Sequence, residues 1–141
     1  MKTFHLRSLI AFFLVLFSFL TVSCKDDDEK VDPKTPASEA AIITFTSPAM
    51  HSVYNQGQIV TVAGKIEAEK EIHGYKIIIR NKTANTETVI KDDHAHGTHV
   101  DFSAEWPTQV SQHADMEAEV IVTLDHNDNT ISKKVGFHCM P

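Results

Sequence analysis

The sequence predicts an all-β domain, built as a seven-stranded antiparallel β-sandwich. Seven short segments are rich in Val, Ile, Thr and Phe, turn residues separate them, and apolar and polar side chains alternate along several of them. This combination is typical of two-sheet sandwiches. The predicted strands are AIITFT (41–46), QIVTVAGKIE (58–67), GYKIIIRN (74–81), TETVIK (86–91), THVDFSAEW (98–106), EAEVIVTLD (117–125) and TISKKVGFHC (130–139).

Alternation is clearest in the fifth and sixth segments. In the fifth, Val100, Phe102 and Trp106 fall on one face, and His99 and Asp101 fall on the other. A strand with one buried face and one solvated face requires this pattern. We therefore expect Trp106 to pack in the core and not to stack on a sugar.

The connections between the segments carry turn residues. NKTANT (81–86) and HNDNT (126–130) are predicted hairpin turns, because Asn tolerates positive φ. The helix formers in AEKEIHGY (68–75) end at Gly74 and an Ile-rich run, so we expect at most one helical turn there. The stretch 41–141 is long enough for one core and too short for two domains.

The N-terminal segment predicts export. Lys2 and Arg7 give a positive start, and LIAFFLVLFSFL (9–20) is an almost unbroken apolar run. A run of this length fits the hydrophobic region of a signal peptide better than it fits a membrane span. We therefore assign residues 1–23 to a signal peptide, cleaved before Cys24.

The stretch LTVSC (20–24) resembles the lipobox of bacterial lipoproteins, in which the cysteine becomes the first mature residue and carries the lipid. The resemblance implies lipid attachment at Cys24. The following CKDDDEK (24–30) resembles the surface-export signal of Bacteroidota-type lipoproteins, which implies a lipid-anchored protein on the outer face of the outer membrane. Taken by composition alone, the acidic run is a solvated spacer.

Residues 24–40 are predicted to form a disordered tether. Pro33 and Pro36 favour extended backbone, and the segment has no apolar periodicity. At ~3 Å per residue, such a tether holds a domain several tens of ångströms from the lipid.

Charge and cysteine content limit the partners. The chain has 13 basic and 19 acidic residues, and loss of Lys2 and Arg7 with the signal leaves a net charge of −8. We do not expect nucleic-acid binding on this balance. Lipidation of Cys24 leaves only Cys139, so no intramolecular disulfide is possible. The expected partners are the membrane, through the lipid, and an envelope protein.

The opening FTSPAMHSVYNQGQIVTVAGKI (45–66) resembles the start of many bacterial immunoglobulin-like domains, where Ser-Pro follows the first strand and Gly precedes the second. The resemblance implies an immunoglobulin-like or fibronectin-like architecture for residues 41–141. The cysteine pair of immunoglobulins is absent from this stretch, so only the architecture is carried over.

Most histidines fall in the connections between predicted strands. If all seven strands alternate in direction, the connections after the second, fourth and sixth strands meet at one end of the sandwich. That end would carry His73, Asp92, Asp93, His94, His96 and His126, with His99 close by at the start of the fifth strand. The other end would carry His51, His113 and His138.

Imidazoles and carboxylates at one end predict a transition-metal site for Zn or Cu. His94 and His96 share one side of an extended backbone, and Gly97 permits a turn that would bring His99 round. Two alternatives stay open. DDHAHGTH (92–99) is either a polar loop of neutral histidines or a pH-responsive loop whose imidazoles titrate together at about pH 6.

Strand parity argues against a copper(I) site at His138-Cys139-Met140. Val135, Phe137 and Cys139 share one face, so we expect Cys139 to point inward as a small hydrophobe. His138 and Met140 would then point outward, away from the thiol.

The sequence contains no nucleophile elbow, no phosphate-binding glycine loop and no HExxH motif, so we do not expect an enzyme. The leading hypothesis is a membrane-anchored binding module that binds a transition metal through its histidine-bearing end. The alternative is a structural accessory domain of an envelope complex, for glycan uptake or adhesion, without a metal.

Overall fold

The computed structural model describes residues 40–141, which form a two-layer β-sandwich. Its eight strands are β1 (Ala41–Ser47), β2 (Val53–Asn55), β3 (Ile59–Ile72), β4 (Gly74–Asn81), β5 (Thr86–Asp93), β6 (Gly97–Pro107), β7 (Ala114–Thr123) and β8 (Thr130–Met140). One sheet has the order β1-β3-β6, and the other has the order β2-β8-β7-β4-β5. The predicted immunoglobulin-like, all-β sandwich is confirmed for this part of the chain.

The signal peptide 1–23, the lipidation site Cys24 and nearly all of the predicted tether lie outside the described residues. Within residues 40–141, no helix has the length and hydrophobicity needed to span a bilayer.

The inward faces of the two sheets form one apolar core. Alternate residues of the long strands fill it, as period-two patterning requires. The most deeply buried include Val60, Val62, Ile66, Ile77, Ile79, Phe102, Ala118, Val120, Val122, Phe137 and Cys139. Trp106 is partly buried and packs against this core, as predicted.

All seven predicted strands are present, and the bounds of β4 match the prediction. β2 was not predicted, because its three residues are too few to show a periodicity. β2 pairs in parallel with β8, with Val53 opposite His138 and Asn55 opposite Met140. The expectation of seven strands, all antiparallel, is therefore corrected to eight strands with one short parallel pair.

β3 is longer than predicted. It continues to Ile72, through a segment for which the sequence predicts at most one helical turn. The pairing of β3 with β6 shifts register between Glu67 and Ile72. Pairing within the sheet therefore makes residues 68–72 part of a strand, although their local composition favours a helix. Both predicted hairpin turns are confirmed, with positive φ at Asn85 (53°) and at Asp128 (57°).

Candidate metal centres

Four histidines meet at one end of the sandwich, which we call the histidine pole: His73, His94, His96 and His126. The ring centroid of His73 lies 3.8 Å from that of His126 and 5.6 Å from that of His96. The rings of His94 and His96 are also 5.6 Å apart. The predicted meeting of these four imidazoles is confirmed, whereas metal binding by them stays a prediction.

The chain path at this pole depends on one glycine. His73 is the single residue that links β3 in one sheet to β4 in the other, and its amide donates to the carbonyl of Thr123 at 2.8 Å. The next residue, Gly74, has φ 147°, and a Cβ there would lie 2.7 Å from the carbonyl oxygen of Asp93. Only glycine tolerates both this positive φ and this short distance. Gly74 therefore allows the connection from β3 to β4 to pass close to the end of β5.

An open cleft of about 430 Å³ lies beside three of the four rings, those of His73, His94 and His126. Its lining combines imidazoles and carboxylates, namely His73, His94, His126, Asp92, Asp93, Asp125 and Asp128. Tyr75 also lines the cleft, and its hydroxyl donates to Asp93 Oδ2 at 3.3 Å. Burial raises the pKa of Tyr75, so the phenol remains a proton donor at neutral pH.

Asp92 and Asp93 lie in β5, not in the loop, and lysines already neutralise both carboxylates. Asp92 Oδ2 is 3.2 Å from Lys76 Nζ, and Asp93 Oδ2 is 3.4 Å from Lys91 Nζ. A metal ion would have to compete with these ammonium groups. The imidazoles are therefore the principal ligands that this pole offers.

Asp125 shapes the β7–β8 turn that presents His126. Its carboxylate accepts hydrogen bonds from the side-chain amide of Asn129 at 2.7 Å and from the backbone N–H of Asn127 at 2.8 Å. These hydrogen bonds lower the pKa of Asp125. The carboxylate thus stays charged and holds the turn that brings His126 against His73.

His99 does not join the histidine pole. It lies in β6 opposite Glu67, and its Nδ1 is 3.1 Å from Thr98 Oγ1. Gly97 has φ 145° and pairs with Ile72, so the chain enters β6 directly. The expectation that Gly97 would turn His99 back towards His94 and His96 is wrong, because sheet pairing begins at the glycine itself.

The opposite end holds a tighter group, which we call the distal triad: His113, Asp115 and His138. One ligand atom from each residue lies within 4.8 Å of the other two, and no other group of three His, Cys, Asp or Glu residues in 40–141 is this compact. The sequence placed His51, His113 and His138 at this end but did not connect Asp115 with them. The missing information was the register, which pairs Asp115 with His138 across β7 and β8.

Cys139 lies next to His138 in the chain but does not take part in the distal triad. It is fully buried, as strand parity predicted, and burial raises the pKa of its thiol. Because metal ions bind the thiolate, a buried neutral thiol is a poor ligand. The prediction that His138, Cys139 and Met140 do not converge is consistent with this placement.

Comparisons with known proteins assign no family to this chain. Neither a scan of protein-family models nor a search of curated proteins finds a match to the sequence. Among solved structures, the chain is similar to the fibronectin(III)-like modules of Clostridium thermocellum CbhA. The TM-score is 0.47 at 13% identity, over 70% of this chain and 96% of that one.

Proposed function

We propose that this protein is an exported, lipid-anchored binding module whose immunoglobulin-like domain binds a transition-metal ion at the histidine pole. The N-terminal pattern supports a division into signal peptide 1–23, lipidated Cys24 with tether 24–40, and domain 41–141. The lipobox-like LTVSC and the acidic KDDDE support a place at the outer membrane, facing the cell surface. The absence of catalytic motifs from the sequence supports binding without catalysis.

The observation that carries the metal proposal is the position of His73 between His96 and His126. Three separate connections, β3–β4, β5–β6 and β7–β8, bring these rings together, and His73 and His126 also line the open cleft. Imidazole nitrogen is a ligand for Zn and Cu, and nearby carboxylates can orient ligating rings. His94, His96 and His126 are exposed, so their rings can rotate to direct nitrogen atoms at one ion.

The alternative role, an accessory domain in an envelope complex, is supported by exposed apolar side chains. Met50, Val53 and Ile59 are all more than half exposed and lie within ten residues around β2. Exposed apolar groups that cluster among polar residues mark protein contacts more often than isolated ones do. Under this alternative, the histidines at the pole are solvated and bind no ion.

A measurement of metal binding distinguishes the metal-binding module from the accessory domain. The full-length chain, purified without a histidine tag, is titrated with Zn²⁺ and Cu²⁺ by calorimetry, and its melting temperature is followed. An ion at one hundred times its Kd should add about 2.7 kcal/mol to the free energy of unfolding. The double variant His73→Ala with His126→Ala should lose one bound ion per chain.

His99→Ala is the matched control, because it removes an exposed histidine outside the pole. It should bind the same number of ions as the wild type. If the double variant retains wild-type stoichiometry and affinity, the histidine pole binds no metal and the accessory role stands. Anchoring is tested with Cys24→Ser, which should move the protein from the membrane fraction to the soluble fraction.

A further inference from the structure

The distal triad has the geometry of a preformed chelating site. Asp115 Oδ1 lies 2.9 Å from His138 Nδ1. Two ligand atoms bound to one tetrahedral ion at about 2.0 Å are separated by about 3.3 Å. The pair is therefore already near the spacing that a shared ion requires, and His113 supplies a third ligand atom within 4.8 Å.

The backbone that presents the triad is fixed on both strands. The Asp115 amide donates to Thr83 Oγ1 at 2.9 Å, and its carbonyl accepts from the Lys82 amide at 2.8 Å. The His138 amide donates to the carbonyl of Ser52 at 2.8 Å. Sites built on paired strands hold their ligands more precisely than sites on free loops.

The triad faces solvent because its neighbours in the strands face the core. Ala114 and Cys139 form the adjacent register pair, and both are fully buried. Side chains alternate across a strand, so Asp115 and His138 project from the outer surface of the five-stranded sheet. His113 lies two residues before Asp115, and its ring stacks at 5.7 Å from that of His138.

A third imidazole extends the group. The ring of His51 lies 6.1 Å from that of His138, and the two are nearly parallel at 18°. The His51 amide donates to the carbonyl of Gly136 at 2.8 Å, which ties the segment before β2 to β8. His51 is outside the compact triad, but its ring stacks on that of the triad residue His138.

The geometry points to a second metal site, in which His113, Asp115 and His138 each give one ligand atom to a divalent first-row ion such as Zn²⁺ or Cu²⁺. Two imidazoles and one carboxylate suit these ions, and water completes the coordination. The ion would take the place of the proton shared by Asp115 and His138. This site is independent of the histidine pole, because His138 lies eight residue steps along β8 from Thr130 at the other end, about 26 Å at about 3.3 Å per step.

The test uses the untagged full-length chain carrying His73→Ala and His126→Ala, so that only the distal triad remains intact. Titration with Cu²⁺ should give one ion per chain, with nitrogen hyperfine structure in the electron paramagnetic resonance spectrum. Adding Asp115→Asn, which keeps the side-chain size, should weaken Cu²⁺ binding at least tenfold, because losing a ligand costs no less than losing a group that supports one. Adding His113→Ala with His138→Ala should abolish it.

A second measurement does not depend on the variants folding. In the wild-type chain, Cu²⁺ added to two equivalents, enough for both ends, should broaden the amide resonances of residues 113–116 and 137–139. Broadening confined to residues 73, 94–96 and 126 would mean that Asp115 and His138 form an ion pair only, and the inference fails. Because each end has its own variants and resonances, loss of either site is distinguished from loss of the other.

Discussion

At the scale of single residues, Gly64 is the glycine that the fold constrains most tightly. A Cβ at Gly64 would lie 2.1 Å from the Thr44 carbonyl oxygen and 2.6 Å from a ring carbon of Phe102. One of these atoms belongs to the backbone and cannot rotate away. We expect Gly64→Ala to cost about 3 kcal/mol or more in the free energy of unfolding, measured by urea denaturation.

Gly136→Ala is the matched control for that prediction. It also introduces one methyl group into a strand, but the nearest atom, the Met116 carbonyl oxygen, lies 3.9 Å from the new Cβ. We expect a change within about 1 kcal/mol of the wild type, with stabilisation if the lower entropy of the unfolded chain dominates. Equal effects at the two glycines would show that the close packing of β1 against β3 is not as described.

At the scale of elements, a charge network crosses four strands of the larger sheet. Arg80 on β4 hydrogen-bonds to Glu119 on β7, whose side chain is only 7% exposed. The Nε atom of Arg80 also lies 3.1 Å from Oε2 of Glu87 on β5. Lys134 on β8 extends the network to Glu117 at 3.0 Å. Because Glu119 is buried, its charge depends on a partner far more than the exposed charge of Glu87 does.

Replacing Arg80 by Met should therefore destabilise the sheet by about 2–3 kcal/mol, since it leaves Glu119 with only the weaker Lys134 contact at 3.9 Å. Replacing Glu87, which is 61% exposed, by Gln should change stability by less than about 0.5 kcal/mol. Urea denaturation of both variants measures the difference. A similar loss in the two variants would mean that burial does not set the strength of this network.

At the scale of the whole molecule, strand direction separates the two histidine-bearing ends. β1 begins opposite Ala68, near the end of β3 that leads into His73, so a tether preceding Ala41 would attach on the histidine-pole side. With the lipid anchor proposed at Cys24, we expect the histidine pole to face the membrane and the distal triad to face away from it. The histidine pole would then lie near the membrane surface, and the distal triad would lie on the side away from it.

Spin labels at His94→Cys and Met140→Cys measure this separation, in a chain that also carries Cys24→Ser. β8 runs from Thr130 to Met140, ten steps of about 3.3 Å, so we expect a distance of about 30 Å or more by pulsed electron resonance. Cys139 is fully buried and should remain unlabelled. A distance under about 20 Å would contradict the separation of the two histidine-bearing ends.

The strands and their inward faces could be predicted from the sequence because period-two alternation is a local property. Phe102, Val122 and Cys139 are buried as their positions in the pattern require. The meeting of His73, His96 and His126 could also be predicted, because alternating strand direction alone brings those connections together. The prediction erred at His99, where the onset of sheet pairing at Gly97 decides the chain path.

By itself, the sequence of this protein determined the all-β class, the faces of the long strands and the end at which His73, His96 and His126 meet. Only the tertiary structure decided that β2 pairs with β8 and that Asp115 meets His138, 23 residues away. The physical reason is that alternation constrains each strand separately. Register and sheet order arise from packing between strands distant in the chain, and no short pattern encodes that packing.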